Sequence, residues 1–186
     1  LNGVLAIHTG TDMPVKTLAN HTYDDSVSFL QAHEGFGGSD PIPDGSGSLE
    51  RFVRASSLAR APQSEEKPAS AFAILESVSV GYYSKWKIVY LPEQRRVYFR
   101  TYRDMSIKEV QLDDFELDCT SPMMILDIHP TLAGNIGPLF EAYSETANRK
   151  LIDDTLEPIL PFLPAGVDEA LISYPDGLSC TIDANT

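Results

Sequence analysis

The side chains best able to attack a substrate or hold a metal in this sequence are Cys119, Cys180, His8, His21, His33 and His129. The two cysteines have no CxxC spacing, so neither a metal knuckle nor a redox pair follows. They could form one bridge, but two small buried thiols are the expected arrangement. Cys119 and His129 could form a thiol–imidazole couple, yet Asp118-Cys119-Thr120-Ser121-Pro122 has the composition of an inter-strand loop and no spacing brings the pair together. The histidines are too scattered to make a ligand set, and no metal and no cofactor are expected. Asp113-Asp114 with Glu116 and Asp118 lacks the glycine and closing glutamate of a calcium loop and reads as a solvated acidic turn. Gly35-Phe36-Gly37-Gly38 matches neither a dinucleotide-binding nor a P-loop pattern. Tyr98, Phe99 and Tyr102 suit a sheet core and surface better than a stacking platform. Leu1 has no nucleophilic side chain.

Charge narrows the partners. The chain has 14 Lys+Arg against 27 Asp+Glu, a net −13. Phosphate and anionic-lipid surfaces are bound by cations, so no nucleic-acid partner and no membrane surface is expected. The 42% hydrophobic and 22% charged shares are those of an ordinary globular domain. No apolar run reaches the roughly 20 residues of a membrane span, and no signal peptide is visible at the start.

Those residues must be held by local structure. Residues 4–8 are an apolar run rich in strand formers, 9–12 have turn chemistry, and 15–18 alternate apolar with polar, leaving Asn20 at a strand end. A helix is expected from about Asp24, capped by it, with Val27, Phe29 and Leu30 turned inward. Residues 34–48 are dense in Gly, Pro, Ser and Asp and form a loop, of a length that suits a functional segment as well as a plain connection. Helical spacing follows over 49–61 and 65–80, with Pro68 in a first turn. The period then changes to two over 85–90, 96–102 and 107–112, which predicts an antiparallel meander. A short strand over 123–128, a helix containing Leu139, Phe140, Ala142 and Tyr143 running towards Ile152, and a proline-broken tail complete the chain. This order predicts an α+β class, with residues 1–186 forming a single domain segment.

Three blocks in order carry a resemblance. Pro14-Val15-Lys16-Thr17-Leu18-Ala19-Asn20-His21-Thr22-Tyr23-Asp24 resembles the strand of bile salt hydrolases and penicillin V acylases that ends in Thr-Asn-Ser-Pro-Thr-aromatic-Asp. Ser48-Leu49-Glu50-Arg51-Phe52-Val53-Arg54-Ala55 is similar to their Ser-Arg-Phe-Val-Arg-Ala helix start. Trp86-Lys87-Ile88-Val89-Tyr90 with Val97-Tyr98-Phe99-Arg100-Thr101-Tyr102 looks like their central hairpin. The likeness spans roughly residues 4 to 112. It departs from the family pattern at His21-Thr22, where Ser-Pro is usual, and at Glu50, where Ser is usual; both bear on the acyl pocket.

The resemblance to the choloylglycine hydrolase family implies a four-layer αββα N-terminal-nucleophile hydrolase fold with antiparallel sheets, of which this chain supplies the C-terminal part. It implies hydrolysis of a linear amide by an N-terminal cysteine whose own α-amine, with a pKa of roughly 7.7–8.0, is the base. That cysteine would belong to an upstream segment outside this chain. Asn20 would be an oxyanion donor and Arg51 the cation beside the thiol, with Arg54 and Tyr23 shaping substrate binding. Read as residues alone, Asn20 is equally a turn asparagine and Arg51 a solvated helix cation or a partner of Glu50 or Asp44. Leu132-Ala133-Gly134-Asn135-Ile136 resembles the Gram-negative acylase branch, which implies export to the periplasm, a homo-oligomer, and a small-molecule amide with an aromatic or fatty acyl group. A binding module that keeps the fold without the nucleophile is the alternative.

Overall fold

A computed structural model describes residues 7, 9–10, 13–61, 67–128 and 130–178. The expected strand over 4–8 falls almost wholly outside them, as do His8, His129 and Cys180. The chain divides into two compact units, residues 1–89 and 90–186.

In the first unit, helix α1 (Tyr23–Leu30) is capped by Thr22, whose hydroxyl accepts from the Asp25 N–H at 3.3 Å. Asp24, the expected cap, lies instead in the first turn beside Asp25, where both carboxylates complement the helix dipole. Helix α2 (Ser48–Arg60) begins after Gly47, whose N–H donates to the Glu50 carboxylate at 2.8 Å. Helix α3 (Lys67–Ser77) has Pro68 in its first turn, as expected. Leu30, Phe52 and Val53 form the buried centre, and Val15, Ala19, Tyr23, Val27, Phe29, Phe36 and Ile42 pack around it. Phe52 and Val53 are fully buried, each worth roughly 1.5–3 kcal/mol of apolar transfer.

The 34–47 loop is irregular but tied down. Glu34 N–H donates to Asp40 C=O at 2.8 Å and Asp40 N–H to Ala32 C=O at 3.0 Å. At Gly38 a Cβ would lie 2.0 Å from the Ala32 carbonyl oxygen, so only glycine fits this close approach.

Residues 15–18 differ from expectation. Burial alternates from Met13 to Asn20 as in a strand, yet no ladder forms among the described residues. Side-chain alternation is local, whereas a strand exists only with a backbone partner.

Strand β1 (Trp86–Leu91) carries the chain into the second unit. There β2 (Arg96–Thr101) and β3 (Lys108–Gln111) pair antiparallel, Val97 opposite Val110 and Phe99 opposite Lys108. The predicted meander is present, in the sheet order β1-β2-β3-β5, where β5 (Gly134–Asn135) joins β3 in parallel. A second, two-stranded sheet pairs β4 (Met124–Ile125) antiparallel with β6 (Glu141–Ala142). The structure is therefore α+β with mainly antiparallel sheets.

Helix α4 (Glu145–Leu156) starts later than its apolar pattern suggests. Ser144 accepts from the Ala147 N–H at 3.2 Å and sets the start, while Gly137-Pro138-Leu139 make a single 3-10 turn and Glu141 and Ala142 a strand. Helix α5 (Val167–Ser173) packs on α4 and was not predicted. Asn148 of α4 donates to the Ile172 carbonyl at 2.9 Å, and Arg149 pairs with Glu169 at 2.7 Å and with Glu145 at 3.0 Å. Cys119 is exposed and disulfide-bonded, not the small buried thiol expected of it. No helix among the described residues is long and apolar enough to cross a membrane.

Candidate active site

The 14–20 stretch and the start of α2 meet through main-chain and side-chain hydrogen bonds. The Ser48 hydroxyl accepts from the N–H of Asn20 at 2.8 Å and from the N–H of His21 at 3.0 Å. One oxygen thus anchors two consecutive backbone donors across 27 and 28 residues of sequence. Ser48 was not among the predicted site residues. Its only sequence signal is the Ser46-Gly47-Ser48 run at a helix start, which suggests a cap and not a distant clamp.

Arg51, one turn into α2, donates from Nη2 to Asn20 Oδ1 at 2.8 Å and from Nε to the Ser46 carbonyl at 3.1 Å. A guanidinium has donors only, so the amide atom facing it must be the oxygen. This fixes the flip of Asn20 and turns its Nδ2 away from Arg51. Asn20 is exposed, and Nδ2 has no partner among the described residues. What results is a fixed N–H donor pointing outward, backed by a cation that polarises the amide. Such a group can stabilise a developing oxyanion.

The other two predicted residues are placed differently. Arg54 donates from Nε to the Ser77 carbonyl at 2.7 Å and from Nη1 to the carbonyls of Pro43 and Gly45 at 2.8 and 3.0 Å. It binds the end of α3 and the 42–47 loop to α2. The Tyr23 hydroxyl accepts from the Val15 N–H at 3.0 Å and donates to the Val15 carbonyl at 2.7 Å, while its ring meets Phe52 edge-on at 6.2 Å. Tyr23 thus fastens the strand-like stretch that ends in Asn20 to the core. Arg51 and Asn20 touch each other; Arg54 and Tyr23 each hold a segment next to them.

Among the described residues no group of three or more His, Cys, Asp or Glu could hold a metal ion. Asp113, in the acidic turn, pairs with Arg95 at 2.5 Å, and Asp118 accepts from the backbone of Thr120 and Ser121 at 2.7 and 2.8 Å. These contacts close the acidic turn on itself.

Residues 12–125 match the family model of the linear amide C–N hydrolases, choloylglycine hydrolase family. The chain belongs to this family. All four site residues, with Ser48, lie inside the matched stretch, and β5, β6, α4 and α5 lie after it. Among solved structures, the penicillin V acylase from Agrobacterium tumefaciens is similar with a TM-score of 0.57 and 23% identity, over 66% of this chain and 45% of that one. At that identity the likeness bears on the fold, which agrees with the α+β arrangement described. A variant of the conjugated bile acid hydrolase from Clostridium perfringens matches at 16% identity and a TM-score of 0.42, over 67% of this chain and 44% of that one. The chain thus spans under half the length of either protein. No curated protein matches it.

Proposed function

We propose that this chain is the part of a linear amide hydrolase that presents the oxyanion donor and the thiol-side cation to a cysteine carried by a segment outside it. The observation that carries the reading is the 2.8 Å bond from Arg51 Nη2 to Asn20 Oδ1, which leaves the Asn20 N–H donors fixed and outward. In the proposed reaction the thiolate of an N-terminal cysteine attacks the amide carbon, and the carbonyl oxygen takes the charge. Asn20 Nδ2–H donates to that oxygen, and the leaving nitrogen takes the proton that the cysteine's own α-amine removed from the thiol. Water then hydrolyses the thioester, with the same amine as base. Arg51 favours the thiolate by its charge. Arg54 and Tyr23 contribute to substrate binding through the 42–47 loop and the 15–20 stretch that they fasten.

The substrate proposed is a small amide of the penicillin V, N-acyl homoserine lactone or conjugated bile acid type, cleaved in the periplasm by a homo-oligomer. Penicillin V turnover by the complete protein tests the assignment. Asn20→Ala is expected to lower kcat by ~10²–10³-fold, the usual loss of one oxyanion donor, with an unchanged Tm. Equal turnover in the two proteins removes Asn20 from the mechanism; no turnover by the unaltered protein on any of the three amide types favours a non-catalytic module.

A further inference from the structure

An open groove of about 730 Å³ lies in the first unit beside the C-terminal turn of α2. None of Asn20, Arg51, Arg54 or Tyr23 lines it. Small-molecule sites run from about 300 to 1,000 Å³, so the groove has room for a ligand. Val15, Phe36 and Ala59 supply apolar wall, and Val15 and Phe36 are seated on the Leu30, Phe52 and Val53 core. Ser56 also lines the groove, but its hydroxyl proton is already donated to the Phe52 carbonyl at 2.7 Å.

The cations of the groove are Lys16 and Arg60. Gly35 and Gly37 have φ of +81° and +117°, which only glycine adopts readily, and the turn they make presents the Gly35 carbonyl to α2. Arg60 Nη1 donates to that carbonyl at 2.6 Å, and its guanidinium lies over the Phe36 ring at 4.8 Å. Arg60 is thereby fixed as part of the wall, although it ends a helix and is exposed. Its other N–H groups, and the Lys16 ammonium, have no partner among the described residues.

Charge defines the ligand. The chain carries 27 acidic residues and a net −13, yet among the described residues no Asp or Glu lines this groove and two cations do. An apolar concavity with a positive rim complements an anion that has an apolar body. The planar guanidinium matches a carboxylate, and the ammonium adds a point charge beside it. Inorganic phosphate would leave the apolar walls uncovered. We propose that the groove binds a small amphipathic monocarboxylate, with its head group at Arg60 and Lys16 and its body against Val15, Phe36 and Ala59. That its natural source is the acid released by amide cleavage rests on the acylase reading. Hydrolysis of R–CO–NH–R′ by water gives R–COO⁻ and R′–NH₃⁺, and the first is the chemistry this groove fits. Thr17, on the wall, precedes Asn20 by three residues, about 10 Å along an extended chain.

Equilibrium binding of decanoate and decan-1-ol to the full-length gene product tests this. Decanoate is expected to bind at least ~10-fold more tightly than the alcohol. Lys16→Gln with Arg60→Gln should weaken decanoate ~10–100-fold and leave the alcohol within about twofold. Lys16→Glu alone, a change at an exposed side chain, should weaken it about tenfold and serves where the double variant does not fold. Asn20→Ala should leave decanoate affinity within about twofold. Equal binding of acid and alcohol overturns the proposal, as does full affinity in the double variant. A loss in Asn20→Ala as large as in the double variant also overturns it, by giving the acid to the candidate active site. Because binding needs no turnover, this site and the catalytic assignment can fail separately.

Discussion

Asn20 with Arg51 in the first unit and Asp104 with Lys108 in the second are both polar pairs held by several hydrogen bonds, and they are built to opposite ends. Lys108 is fully buried, and its ammonium donates to Asp104 Oδ2 at 2.7 Å and to the Ser106 carbonyl at 3.1 Å. Asp104 accepts in turn from the N–H of Ser106 at 2.9 Å and of Leu132 at 3.1 Å. Every charge there faces a partner, and nothing is left to offer a ligand. The Asn20–Arg51 pair is exposed and satisfied on one side only, with an amide donor facing outward. A closed polar cluster stabilises a fold, whereas a braced but half-open one is available for chemistry.

Substitutions can break this contrast. Lys108→Ala empties a fully buried site and leaves the partly buried Asp104 carboxylate without its counter-ion, and a Tm fall of roughly 10 °C is expected. Turnover per folded molecule should not move; thermal unfolding beside active-site titration measures both. Arg51→Lys should do the reverse. A lysine cannot span the Asn20 amide and the Ser46 carbonyl with one planar fork, so kcat is expected to fall roughly 10–100-fold while Tm stays within about 2 °C. Equal Tm losses in the two variants would erase the distinction.

Ser48→Ala tests whether a main-chain anchor matters to the half-open pair. Losing the acceptor of two N–H groups should lower kcat by about tenfold, and Ser48→Thr, which restores the hydroxyl, should recover most of it. A Ser48→Ala protein with full kcat would show that Arg51 alone positions the amide.

The smallest effect is one of pH. The Lys108 ammonium, then the N–H groups of Ser106 and Leu132, hold the Asp104 carboxyl well below the usual carboxylate range. A depressed folded-state pKa contributes stability that is fully present above the unfolded value near ~4 and is lost as the pH falls through the folded value. Asp104→Asn should therefore flatten the decline of Tm below about pH 4, without altering its course between about pH 6 and pH 8. A parallel decline in both proteins would show that other carboxylates govern acid unfolding.

What was legible in the sequence follows the range of the forces involved. Helix α2 and strands β1 to β3 announce themselves because their periodicities persist over several turns or pairs. The start of α4 does not, since one hydroxyl at Ser144 outweighs the apolar spacing of Leu139 to Tyr143. Helix α5, seven residues behind Gly166, and the two-residue strands β4, β5 and β6 are too short to leave a periodic signal. Asn20 and Arg51 were singled out through a motif, and the structure places the two in contact. Ser48 was missed because its two bonds reach back 27 and 28 residues. The Cys119 disulfide was equally hidden, because two cysteines without a spacing rule say nothing of their distance.

The parallel strand β5 has a practical consequence. It comes from beyond residue 125, where the family match ends, yet it occupies the outer edge of β3 through Gly134 and Asn135. A fragment cut back to residue 125 would bare that edge, and an uncovered edge strand recruits other chains. Trimming this protein to its recognisable family portion would thus yield a product prone to aggregate.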